Sequence, residues 1–100
     1  MEVTYSRHFR QREALRIIPK GLAEDVFQNA DSYFNDSVTD TFVAVKRALF
    51  HGVSRDVALI YRRIDAREVI FSTIHPLQNG QKERRIQGGR WTLYAPESAL

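Results

Sequence analysis

The chain has no cysteine, and in 100 residues it has one methionine, three prolines and five glycines. Without cysteine there is no disulfide, no thiolate zinc site and no cysteine nucleophile. That composition fits the reducing cytosol. No apolar run approaches the about 20 residues needed to cross a bilayer. The opening MEVTYSRHFRQR lacks the apolar stretch of a secretory signal. These absences predict a cytoplasmic protein that does not use the membrane. There is no repeat, linker or low-complexity tract. There is also no His-Glu-x-x-His and no group of carboxylates at ligand spacing, so neither a metal nor another cofactor is expected.

What is present suits one compact domain over residues 1–100, with 43% hydrophobic and 27% charged residues. The net charge is +3, unevenly spread. Residues 1–20 hold five basic and two acidic side chains, and residues 78–91 hold four basic and one acidic. The stretch between them is net acidic. The two basic clusters would form one polyanion-binding patch if the fold brought them together.

Local patterns predict the elements. VTYS (Val3–Ser6) alternates and reads as a short strand or an arm. HFRQREALR (His8–Arg16) reads as a helix entered at Ser6 or Arg7, with Pro19 marking its end. Pro19 also suits the first position of a second helix, PKGLAEDVFQNA. The rest reads as strand: SYFND, FVAVKRALF, DVALIYRRI and EVIFSTIH, with a hairpin turn at His51-Gly52. QKERRIQ suits a short helix after the Asn79-Gly80 turn, and RWTLY suits a last strand. Helices followed by strands predict an α+β fold. Two N-terminal helices would pack on one face of an antiparallel, four- to five-stranded sheet.

Several polar residues stand out. His8 and Arg12 are spaced i, i+4 on the first helix. His75 ends the last long strand, and strict alternation would point it the same way as Val69, Phe71 and Thr73. An imidazole at the rim of a core can act as acid or base near neutral pH. Lys82, Arg84, Arg85 and Arg90 surround Gly88-Gly89, where guanidinium forks and turn amides suit phosphate. Trp91 reads either as core or as a stacking platform. Lys46 and Arg47 put charge on a strand whose other residues are apolar, and Lys46 sits where a half-buried strand needs a reason for it.

The opening YSRHFRQREALRIIPKGLAEDVFQNAD, with its Ser-x-His and following arginine, resembles that of a group of small bacterial domains. VAVKRAL, DVALIYRR and VIFSTIHPL resemble the closing strands of the same group. Over about residues 3–94 the chain resembles the RelE/ParE-type superfamily of toxins from bacterial toxin–antitoxin pairs. The resemblance implies a single RelE-like domain that acts as a metal-free endoribonuclease, cleaving RNA by attack of the ribose 2′-hydroxyl. It implies RNA, including ribosome-bound messenger RNA, and a cognate antitoxin as partners. His8, Arg12 and His75 are then the candidate catalytic residues. Lys46, Arg85, Arg90 and Tyr94 are the candidate phosphate or RNA contacts. Two alternatives stay open: a non-catalytic module binding nucleic acid or protein, and a ParE-like gyrase inhibitor.

Overall fold

The computed structural model describes residues 1–95. In chain order the elements are β1 (Glu2–Tyr5), α1 (Arg7–Ala14), α2 (Leu22–Asn29), β2 (Ser32–Asp36), β3 (Thr41–Phe50), β4 (Val53–Asp65), β5 (Glu68–Pro76), α3 (Gln81–Gln87) and β6 (Trp91–Tyr94). The strands form one six-stranded sheet in the order β1-β5-β4-β3-β2-β6. Neighbours from β5 through β6 pair antiparallel, but β1 lies parallel to β5. The expected fold is therefore corrected. The sheet is mixed and six-stranded rather than antiparallel and four- or five-stranded, and the three short helices are divided between its two faces.

The front face is covered by α1 and α2. Phe9 from α1 and Ala23, Val26 and Phe27 from α2 pack on Ala44, Val57, Leu59, Tyr61, Val69 and Phe71. Each is buried, because Phe9 and the Ala23–Val26–Phe27 stripe recur at helical spacing while the strand residues alternate. The back face carries a second, smaller cluster: Phe34, Val43, Val45, Ala58, Leu77 and Trp91. Helix α3 lies on this side, between Leu77 and Trp91, and buries no side chain of its own. Among the described residues no helix is long and apolar enough to cross a membrane.

One irregularity decides which way β5 points its side chains. Tyr61 pairs with Phe71, but Ile60 pairs with Thr73, so Ser72 is an extra residue on β5. Such a β-bulge reverses the facing of everything beyond it. Ile74 joins Val69 and Phe71 in the front core. His75 falls opposite Ala58, on the back face.

The bulge is tied to α1. Ser6 caps the helix by accepting from Phe9 N–H at 3.0 Å, and its hydroxyl donates to the Ser72 carbonyl at 2.9 Å. Ser6 N–H donates to the Phe71 carbonyl at 2.9 Å. One side chain thus starts a helix and satisfies the bulge. Ser6→Ala loses both bonds and is expected to lower stability by about 2 kcal/mol. Ser6→Asp keeps a cap acceptor but cannot donate when ionised, so it should recover only part of that loss. Urea denaturation of the three proteins checks the order. Equal loss in Ala and Asp would mean that the cap contributes nothing.

Helix α2 begins later than the sequence suggests. Pro19 lies in the turn before it, and Gly21 precedes Leu22 with φ of +79°. The proline ends the preceding segment rather than opening the helix.

Candidate functional site

The seven candidate residues separate by face. His8 is exposed on α1, and Arg12 is half-buried on the same helix, both on the front side. The Arg12 Nε is buried and has no hydrogen-bond partner among the described residues. Lys46 is also on the front side, under α2, where its Nζ lies 2.6 Å from Asp25 Oδ2. Lys46 and Asn29 together hold the Asp25 carboxyl below its ordinary value. Tyr94 pairs across from Tyr33 and packs against Phe42, with ring centroids 5.3 Å apart, again on the front. His75, Arg85 and Arg90 are on the back.

His8 and His75 therefore lie on opposite sides of a hydrogen-bonded sheet. The bulge at Ser72 is the physical reason, since unbroken alternation would have put His75 on the face of Phe71. Likewise the N-terminal basic cluster sits on the front with α1, and the 78–91 cluster on the back with α3. They do not merge.

The structure does bring together the arginines of the second cluster. A cleft of about 340 Å3 opens beside α3, lined by Gln78, Gln81, Arg84, Arg85 and Arg90. Three guanidiniums and two amides face it, and no carboxylate lines it. Arg84 and Arg85 sit in the last turn of α3, where cations are favourable. Arg84 Nη1 donates to the Asn79 carbonyl at 3.4 Å. The turn that launches α3 needs glycine at position 80. Its φ is +78°, a backbone conformation that costs glycine nothing and strains other residues.

Arg90 is fixed differently. Its Nε donates to both carboxylate oxygens of Asp36 at 3.1 Å. Asp36 is only 4% exposed and also accepts from the indole N–H of Trp91 at 3.1 Å. The Val38 and Thr39 amides complete the set, at 2.9 and 3.2 Å. Burial by itself would raise the Asp36 pKa, but the bonds from Arg90, Thr39, Trp91 and Val38 outweigh it and hold the carboxyl below its ordinary value. Arg90 is thereby held at the cleft by its Nε. Trp91 is 4% exposed and stacks on Phe34 with centroids 5.4 Å apart, so it is core and offers no stacking surface.

No family model, curated protein or solved structure matches this chain.

Arg85 has no ion pair or hydrogen-bond partner among the described residues. Arg90 is already paired with Asp36, so the cations of the cleft without an ion pair among the described residues are Arg84 and Arg85, and an anion between them would relieve their repulsion. The neighbouring cleft, which shares Gln78, has a different character. It holds Glu83 and the Arg47–Asp56 pair at 3.6 Å. Of these two neighbouring clefts, the one lined by Arg84, Arg85 and Arg90 is the better suited to an anion.

A second concavity was missed in the sequence. It is a groove of about 890 Å3 on the front side, between the end of α1 and the β3–β4 turn. Arg10, Arg16, Lys20 and His51 line it, over Ile18 and Pro19. The signal available was an arginine, rather than glycine, three residues before Pro19.

Proposed function

We propose that this chain is a nucleic-acid-binding domain that holds the sugar-phosphate backbone of RNA in the cleft beside α3, without cleaving it. The observation that carries the reading is the convergence of Arg84, Arg85 and Arg90 on a cleft lined by no carboxylate. Guanidinium forks match phosphate oxygens in geometry and charge. The amides of Gln78 and Gln81 suit sugar hydroxyls. No exposed aromatic lines the cleft, so stacking readout has no platform and sequence preference should be weak. His75 is on the same face of the sheet, opposite Ala58, but does not line the cleft.

Transesterification needs a base and an acid on either side of one phosphodiester. With His8 on the front and His75 on the back, the reading keeps the phosphate contacts of the RelE-like resemblance and not its cleavage chemistry.

The test is titration of labelled single-stranded RNA at several salt concentrations, with EDTA present and the RNA ends examined afterwards. Intact RNA is expected. The slope of log K against log salt should be about −2, as for three phosphates on a single strand. Arg85→Ala should weaken binding of every RNA sequence alike and flatten that slope by about 0.7. Unchanged binding by Arg85→Ala would remove the cleft from the reading. RNA cut to a 2′,3′-cyclic phosphate end would restore the nuclease.

A further inference from the structure

The outer edge of β1 carries an inference that does not depend on the RNA cleft. β1 is first in the strand order, so no described strand pairs with its far side. Both of its ends are tied to β5. Glu2 N–H donates to the Arg67 carbonyl at 2.6 Å, and Ser6 N–H donates to the Phe71 carbonyl at 2.9 Å. Backbone groups alternate in direction along a strand. Glu2, Thr4 and Ser6 therefore turn theirs toward β5, and the N–H and C=O groups of Val3 and Tyr5 point out of the sheet. Natural edges are blunted by lysine, proline or a bulge. Val3, Thr4 and Tyr5 offer none of these, and their register on β5 is unbroken.

The edge is also rigid. The Tyr5 ring packs on Phe9 and Phe71 with centroids 5.1 and 5.5 Å apart. Arg10 Cζ lies 4.8 Å over the same ring, and the Tyr5 hydroxyl donates to Glu24. A strand already held extended loses little freedom when it pairs.

Charge at the two ends of β1 is unbalanced within one copy. Glu2 stands directly opposite Glu68, so two carboxylates share the back face, a destabilising cross-strand pair. Neither has an ion pair among the described residues. Arg7, just past the other end, is the first residue of α1, whose first turn holds no acidic residue. A cation is disfavoured there, and Arg7 also has no ion pair among the described residues. The strand is therefore acidic at its start and basic at its end. β6, the opposite edge, lacks this pattern, because Arg90 beside it is already paired with Asp36.

We propose that β1 is the interface of a symmetric dimer, pairing antiparallel with β1 of a second copy of this chain. The outward groups select the register. Val3 lies opposite Tyr5 of the second copy, and Tyr5 opposite Val3, so every outward N–H and C=O finds a partner. Thr4 meets its own copy on the two-fold axis. The front then carries β-branched and aromatic side chains side by side, and the back a Thr–Thr pair, both favourable across strands. The same register sets Glu2 beside Ser6 and Arg7 of the second copy. The carboxylate crowded by Glu68 thus meets the cation at the start of the helix, twice by symmetry. So short an edge makes a weak, concentration-dependent dimer.

Sedimentation equilibrium and amide hydrogen exchange on the whole chain, from about 10 μM to about 1 mM, test the proposal. A dissociation constant within that range is expected. The Val3 and Tyr5 amides should exchange freely in dilute protein and gain protection as concentration rises. The Thr4 amide, turned toward β5, should be protected throughout. Glu2→Arg and Arg7→Glu should each weaken the dimer about fivefold, because each sets like charges together. The double variant should return to within about twofold of wild type, a recovery that a folding defect would not show. Thr4→Lys places two cations on the axis and should weaken the dimer at least about tenfold, with Tm in dilute solution unchanged. A chain still monomeric at about 1 mM would overturn the proposal. So would a dimer whose Val3 and Tyr5 amides stay unprotected, or a double variant no better than the single ones. Concentration-dependent protection at Trp91 and Leu93 instead would move the interface to β6 and overturn it equally.

Discussion

Asp36→Ala is expected to lower the stability of the fold by about 3–4 kcal/mol. The side chain is 4% exposed and accepts from four donor groups. Two are backbone amides of the β2–β3 turn, and two are the side chains that open β6. Removing the carboxylate leaves the Trp91 indole N–H buried without a partner and the Arg90 guanidinium without its counter-charge. Because Arg90 is 29% exposed, water recovers part of its loss, which holds the figure below that of a fully buried pair. Asp36→Asn is not a mild substitute. Its oxygen can still serve the turn amides, but its NH2 then faces the donors of Arg90 and Trp91. A loss of about 2–3 kcal/mol follows. Urea unfolding should show a lower midpoint with the same slope. A loss under about 1 kcal/mol in Asp36→Ala would mean that these contacts are surface decoration.

The same carboxylate gives a pH signature. Its pKa in the folded chain lies below the ordinary value of 3.8. Its contribution is therefore fully present above that value, and it is lost as pH falls from 3.8 through the lower folded pKa. The stability gap between wild type and Asp36→Ala should be flat from neutral pH down to about pH 5 and should close only in the acid range below 3.8. A gap already closing near pH 6 would assign the effect to another group.

The elements were legible in the sequence because their signals are local. His51-Gly52 marks the β3–β4 turn, and QKERRIQ coincides with α3 at Gln81–Gln87. The sheet's pairing was not legible, because β1 is four residues long and nothing within it names β5 as its partner. That choice is made by Ser6, whose bonds to Phe71 and Ser72 span most of the chain. The bulge was hidden for a related reason. In Val69–Ile74 either register puts apolar residues on both faces, so the pattern alone does not detect one extra residue. Lys46 looked like a spare charge because its partner, Asp25, lies on a helix above it. Of the candidate site, only the Arg85 and Arg90 pairing could be read from nearness in sequence. The groove at Arg16 depends on two segments meeting, and no window of the sequence contains both.

Phe71→Ala should be as damaging as the loss of Asp36, for a different reason. Phe71 is fully buried and meets four aromatic rings. Tyr5 lies 5.5 Å away edge-on, Phe27 5.2 Å, Phe9 6.2 Å and Tyr61 6.5 Å between centroids. These rings come from β1, α2, α1 and β4, so one side chain joins both front helices to the sheet. Truncation leaves a cavity between elements that cannot all close on it, and the expected loss is about 4 kcal/mol. Phe71→Leu fills much of the space but loses the ring–ring contacts, and about 2 kcal/mol is expected. Leu93, 74% exposed on β6, is the control, and Leu93→Ala should change stability by less than about 0.5 kcal/mol. The front core and the arginine cleft lie on opposite faces of the sheet. At temperatures where Phe71→Leu remains folded, it should bind RNA as wild type does. A change in its RNA affinity without unfolding would mean that the two faces are coupled through the sheet, and the bulge at Ser72, next to Phe71 and leading to His75, is where that coupling would run.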